Sequence, residues 1–252
     1  MSLLHSLWIW FITLAWTGII CTFLIPFALF KRRRMVHRVG RIWGRVLATV
    51  HGMRIEVENP RNLPTGGPVL LVANHQSFLD MVAFMSVIRV PFGAMAKASL
   101  FRIPLFGGVM RGAGCIPVHR DDRKKAMESL MQAARSVRAG NSLMVFPEGS
   151  RSLDETRLLP FKKGAFILVR KAAVPIVPIT IFGANRLMPP KQRTFIQRVR
   201  PGTIRMVVHQ TLVPADYAGL SVDELQSRMY RTISRPLERL RQITAILENR
   251  KS

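Results

Sequence analysis

The first 30 residues contain no Asp, Glu, Lys or Arg. A segment of that kind has to be buried, in lipid or beneath other protein, and Leu7 to Phe30 alone exceeds the roughly 20 apolar residues that cross a bilayer core. Trp8, Trp10 and Trp16 suit the headgroup level, and Lys31, Arg32, Arg33 and Arg34 follow at once, as where a helix meets a cytoplasmic leaflet. A removed signal peptide does not fit, because the basic cluster follows the apolar run and no small-residue cleavage site comes after it. The segment either spans or dips in and returns, with Gly18 and Pro26 as candidate bend points; the competing reading is a buried core helix.

A different helix follows. Met35, Val36, Val39, Ile42, Trp43, Val46, Leu47 and Val50 recur at helical spacing while Arg38, Arg41 and Arg45 take other faces. Such a basic amphipathic helix either lies in the membrane interface or docks on the domain as an ordinary surface helix. Residues 1–52 therefore read as a membrane-anchoring helical segment and residues 53–252 as one α/β domain. Strands are expected at Arg54 to Glu58, Val69 to Ala73, Gly114 to Val118, Leu143 to Phe146, Pro175 to Phe182 and Arg205 to Val208. Helices are expected at Ser77 to Val87 and from Arg123 to Ala139, closed by Gly140. Near the end, Ser221 and Glu224 have capping-box spacing before a basic helix interrupted by Pro236. Strand and helix in turn imply a mixed, mainly parallel sheet flanked by helices.

Charge narrows the partners. With 38 Lys plus Arg against 14 Asp plus Glu, the net charge of +24 seeks a polyanion: nucleic acid, an acidic membrane surface or phosphorylated substrates. No nucleic-acid module or aromatic stacking pattern is present, and arginines cluster beside the apolar helix, so no nucleic-acid partner is expected. Cys21 and Cys115 are too few for a disulfide framework and have no CxxC partner.

Chemistry concentrates in two places. At the end of the apolar run VLLVA, His75 and Asp80 stand five positions apart. A neutral imidazole near a helix start can accept a proton, and a carboxylate one turn on can fix its tautomer and stabilise the imidazolium. Asp80 is one of only three acidic residues in the first 120 and sits among Leu79, Met81 and Val82, a costly location without a partner. A second apolar run, SLMVF, empties into PEGSRS, where Glu148, Gly149, Ser150 and Arg151 make an anion-binding turn, with Lys162 and Lys163 downstream. Glu148 either holds Arg151 or a lysine in place or contacts a substrate hydroxyl. Two strands ending in such residues suggest one shared cleft.

These residues resemble the glycerolipid acyltransferase family, in particular its bacterial-type 1-acyl-sn-glycerol-3-phosphate acyltransferases. NHxxxxD matches Asn74 to Asp80, the lysine-led second block resembles Lys97 to Gly107 and Gly114 to Arg120, FPEGTRS matches Phe146 to Ser152 with Ser150 in place of threonine, and the VPIVPV-like strand matches Val174 to Ile179. The resemblance implies that His75 draws the proton from the sn-2 hydroxyl of lysophosphatidic acid, oriented by Asp80. The hydroxyl then attacks an acyl thioester, either acyl-CoA or acyl carrier protein, to give phosphatidic acid. Glu148, Gly149 and Arg151, with Lys97 and Arg120, would bind the glycerol phosphate. It further implies no metal or prosthetic cofactor, a phospholipid membrane as partner, and a place in the inner membrane with the site on its cytoplasmic face. Rival uses of the cleft are another lysolipid or glycerol-3-phosphate as acceptor, or a thioesterase or lipase using water. Ser77 reads as a helix-start residue rather than a nucleophile, and Cys115 as core. A zinc site from His75, Asp80 and Glu148 has ligands enough but no supporting spacing.

Overall fold

The computed structural model describes residues 3–154, 156–188 and 199–249. Helices α1 (Leu3–Leu29) and α2 (Arg33–Val50) come first, then β1 (Met53–Glu58), β2 (Leu70–Ala73), α3 (Leu79–Val87), β3 (Phe92–Lys97), α4 (Phe106–Gly112) and β4 (Ile116–Val118). The second half contains α5 (Arg123–Arg138), β5 (Ser142–Val145), α6 (Lys163–Ala172), β6 (Ile176–Phe182), α7 (Ala184–Leu187), β7 (Gly202–Val208) and α8 (Val222–Asn249).

The seven strands form one sheet in the order β1-β7-β6-β2-β5-β3-β4. Five run parallel, while β7 pairs antiparallel with β6 and carries β1 parallel to itself, so the sheet is mixed and mainly parallel as expected. Helices cover both faces, which is why β2, β5 and β6 are buried throughout rather than at alternate residues. The pleat sends successive residues of β2 to opposite sides. Leu70 and Val72 meet Ala133, Phe166 and Met229 from α5, α6 and α8. Leu71 and Ala73 meet Leu47 and Phe84 from α2 and α3.

Helices α1 and α2 form an antiparallel hairpin that turns at Lys31, whose φ is +52°. The indole of Trp43 donates to Thr17 Oγ1 at 3.0 Å across it. α1 runs unbroken through both Gly18 and Pro26. Among the described residues it is the one helix long and apolar enough to cross a membrane, and the protein covers only 22% of its apolar window. The buried-core reading of this segment therefore does not hold: Trp8, Phe11, Leu14, Ile19 and Phe23 all face outward. α2 resolves the other way. Its apolar stripe is docked on α3, where Gly44 comes so near that a Cβ would lie 3.0 Å from Met85 Cβ, while Arg38 and Arg45 stay exposed.

Elements β3, α4, α6 and α8 differ from the sequence reading. β3 is a strand although FGAMAK lacks β-branched residues; Gly93 is required there because a Cβ would clash with the Gly114 carbonyl at 2.2 Å. α4 and α6 were not expected. α8 is not interrupted at Pro236, which lies inside it. One turn before that proline, the Ile233 carbonyl accepts Thr180 Oγ1 of β6 at 2.9 Å, so the stretch that Pro236 weakens is tied to the sheet. The capping box is formed: Ser221 N–H donates to Glu224 Oε2 at 2.7 Å and Glu224 N–H to Ser221 Oγ at 3.2 Å.

Candidate active site

Strands β2, β5, β3 and β4 are adjacent and parallel, so their carboxyl ends share one edge of the sheet. β2 leads into His75, β5 into Glu148 to Arg151, β3 ends on Lys97, and β4 is followed by Arg120. Four separate stretches of chain thus converge by topology alone.

His75 leaves the sheet because Asn74 takes over its last rung. The Asn74 carboxamide donates to the Ile181 carbonyl and accepts the Ile181 N–H, both at 2.8 Å, copying the two-way pairing of a strand residue. The backbone of residue 75 is then free to turn. Its imidazole Nδ1 lies 2.7 Å from Asp80 Oδ2, the single hydrogen bond that the five-residue spacing calls for. The same oxygen accepts the backbone N–H of Gln76 at 2.7 Å and of Ser77 at 2.9 Å. Asp80 is fully buried in the first turn of α3, where a carboxylate is favoured by the helix amides. With Nδ1 engaged, Nε2 is the nitrogen left for chemistry. Phe146 stacks on the ring at 4.2 Å between centroids and 16° between planes, holding its tilt.

The expectation for Glu148 needs correcting. Its side chain is turned inward and 2% exposed, and it forms no ion pair with Arg151 or a lysine among the described residues. Instead Oε1 accepts the His75 N–H at 2.7 Å and Oε2 the Leu159 N–H at 2.8 Å. Burial pushes its carboxyl up to about 7, partly opposed by those two amide bonds. Ser152 N–H in turn donates to the His75 carbonyl at 2.8 Å. The PEGSRS turn therefore grips the backbone of residue 75 at both its polar groups, a role that pattern reading missed because the partners are main-chain atoms.

A single cavity of about 1300 Å³ opens in front of this arrangement. His75, Gly149, Arg151, Lys97 and Arg120 all line it, so the two motif loops face the same space. Arg120 is held below its ordinary pKa, first by partial burial and then by the charge of Arg151 beside it, which places the two guanidinium groups in each other's field. Gly149 has φ of +70°, and a Cβ there would press on Lys162 at 2.9 Å. Away from this cationic rim the wall is apolar, with Leu24, Val36, Met85, Phe92, Val109 and Met110 running back between the sheet and the amino-terminal hairpin. Ser77 faces away: it is fully buried, and its hydroxyl donates to the Met188 carbonyl at 3.3 Å and accepts Leu79 N–H at 3.4 Å, where α3 begins. Cys115 packs against the core, as expected, and also lines the cavity; its sulfur accepts the Ala94 N–H at 3.4 Å and its thiol is pushed up to about 11 by burial. Among the described residues no group of His, Cys, Asp and Glu is assembled for a metal ion.

Residues 54–182 match the family described as Acyltransferase, and the chain belongs to that family. A 1-acyl-sn-glycerol-3-phosphate acyltransferase of Chlamydomonas reinhardtii is 38% identical over 184 residues, covering 73% of this chain and 54% of that one. The Escherichia coli K12 protein of the same name is 29% identical over 218 residues, covering 85% and 84%. The chain thus spans about half the length of the algal relative and, at 56%, of two plant relatives. The crystal structure of the 1-acyl-sn-glycerophosphate (LPA) acyltransferase PlsC from Thermotoga maritima superposes with a TM-score of 0.80 at 26% identity, covering 95% of this chain and 96% of that one.

Proposed function

We propose that this protein transfers a fatty acyl group from an acyl thioester, carried by coenzyme A or acyl carrier protein, to the sn-2 hydroxyl of 1-acyl-glycerol-3-phosphate, giving phosphatidic acid. The observation that carries the reading is the placement of the His75–Asp80 pair and the Arg151, Arg120 and Lys97 cations on one cavity whose remaining wall is apolar. The cations suit the phosphate, and the apolar depth suits an acyl chain.

In this scheme Nε2 of His75 removes the hydroxyl proton as the oxygen attacks the thioester carbonyl. The tetrahedral intermediate collapses with cleavage of the carbon–sulfur bond, and the departing thiolate takes the proton back from His75. Asp80 holds the tautomer and stabilises the imidazolium. Glu148 acts as a positioning residue through the His75 amide, and backbone N–H groups near Gly149 face the developing oxyanion. The chemistry so drawn uses no metal or prosthetic group.

The hairpin supports attachment to one leaflet. Thr17 is tied to Trp43 and α2 is packed along α1, so a perpendicular crossing by α1 would carry Arg38 and Arg45 into hydrocarbon at about 2.5–3.5 kcal/mol each on insertion scales. Lying in one face, the helix buries its outward apolar residues and leaves Lys31 to Arg34 on lipid phosphates, an arrangement that supports a site on the cytoplasmic face of the inner membrane.

Labelled acyl-CoA incubated with and without lysophosphatidic acid tests the reading, with product identified by mass spectrometry. Acceptor-dependent phosphatidic acid is expected. Thioester hydrolysis indifferent to acceptor would replace transfer with a thioesterase reading, and product from a different lysolipid would change the acceptor. His75→Ala should lower turnover by roughly 10²- to 10⁴-fold while leaving membrane attachment intact.

A further inference from the structure

Among the exposed large apolar side chains outside α1, two stand together in one turn. Between β3 and α4, Arg102, Ile103, Pro104 and Leu105 are consecutive exposed residues, with Ile103 47% and Leu105 46% accessible. The segment is held out by a γ-turn: Phe106 N–H donates to the Pro104 carbonyl at 2.6 Å across Leu105, whose φ and ψ are +60° and −55°. This is the rare, strained form of the turn, and a leucine in it gains nothing that glycine would not supply at less strain. Water gives the two side chains no reason to be where they are.

Their surroundings do. α4 leaves this turn and packs directly on α1: a Cβ at Gly112 would lie 2.3 Å from Ala28 Cβ, and one at Gly108 would lie 3.1 Å from Ile25 Cδ1. Moving back along α4 toward its start thus moves back along α1, away from the basic residues that end it. Phe106, at that start, shares the cavity wall with Leu24 and Cys21. The turn therefore comes out on the flank of α1, a helix whose Ile19 and Phe23 are likewise exposed. Arg102 and Arg111, both exposed, bracket the apolar crown with positive charge. Leu100 and Phe106, on either side of the turn, line the acyl-sized cavity.

We propose that the Ile103–Pro104–Leu105 turn is a second membrane-inserting element, sinking its apolar crown into an anionic leaflet beside α1 with Arg102 and Arg111 on the lipid phosphates. The inference rests on the one-leaflet attachment argued above. Its consequence is that one side of the cavity is bordered by lipid, not water, so long acyl chains reach His75 without crossing an aqueous gap.

A fluorophore on Leu105→Cys, in full-length protein with Cys21→Ala and Cys115→Ala, reports depth in vesicles of phosphatidylethanolamine and brominated phosphatidylglycerol. Matching probes at Phe11→Cys on α1 and Lys124→Cys on α5 mark the lipid and water limits. Bromine should quench position 105 to an extent near that of position 11, by about two-fold or more, and spare position 124. Quenching at 11 without quenching at 105 overturns this inference alone; quenching at neither overturns the attachment by α1 as well. In the natural cysteine background, Ile103→Ser with Leu105→Gly keeps the turn and removes the crown. It should lose several-fold in kcat/KM toward long-chain lysolipid in vesicles and none toward a short-chain, water-soluble lysolipid. Equal loss on both, or loss on neither, is inconsistent with a lipid contact.

Discussion

Asp80 and Glu148 are both buried carboxylates within bonding distance of residue 75, and they do opposite things. Asp80 gathers three donors, one imidazole and two amides, on a single oxygen, while its Oδ1 is buried with no partner. Glu148 divides its two oxygens between two amides from different loops. The first arrangement concentrates negative charge where an imidazolium would form; the second fastens one loop to another through main-chain amides. Burial and residue type therefore do not separate a carboxylate that serves the reaction from one that serves the frame. The identity of the donors does.

The sharpest way to break this contrast is Asp80→Asn. It presents a carboxamide to Nδ1 and removes the charge, so kcat is expected to fall by about 10²-fold or more with little change in acceptor affinity, measured by steady-state kinetics. If Glu148→Gln fell as far, the distinction would be lost.

Stability against pH offers a second separation. The folded Glu148 carboxyl holds its proton up to about pH 7, whereas the unfolded chain releases it near the ordinary value of 4.5. Between those values the folded state binds more protons, so the wild-type protein should lose stability relative to Glu148→Gln as pH rises through the window, by on the order of 3 kcal/mol. Denaturant melts of both proteins at several pH values read the difference, and a constant gap would remove the buried-acid description. At fixed pH near 8, Glu148→Gln leaves one amide facing a donor and should lower kcat by about tenfold, roughly 1–2 kcal/mol, with KM for lysophosphatidic acid nearly unchanged. A rise in KM with kcat preserved would return Glu148 to direct substrate contact. The smallest effect belongs to Gly149→Ala, where positive φ and the displaced Lys162 together should remove about 1 kcal/mol from thermal stability.

Legibility in the sequence followed the range of the interaction. His75 and Asp80 could be paired on paper because both lie in one strand-to-helix passage, and six of the strands were visible as short apolar runs between turn residues. β3 was not visible, since it lacks β-branched residues and its glycine is set by the close approach of Gly114 and not by strand preference. Glu148 and Phe146 were recognisable as residues of interest, yet their actual work, an amide clasp and a ring stack, depends on β2 and β5 lying side by side. The shared cavity was anticipated from two strand ends; that Lys97 and Arg120 join it follows from the strand order, which no local pattern encodes. For α2, periodicity described the helix faithfully and left open what its apolar side would touch, and α3 supplied the answer.

Asn74 carries a lesson of its own. Because a side-chain amide completes the ladder opposite Ile181, the sheet is one step longer in hydrogen bonds than in main chain, and the strand can release its chain early without leaving a raw end. Anyone transplanting this histidine onto another parallel sheet must bring the asparagine with it, since aspartate has no donor to give, serine is too short to bridge and glutamine overshoots.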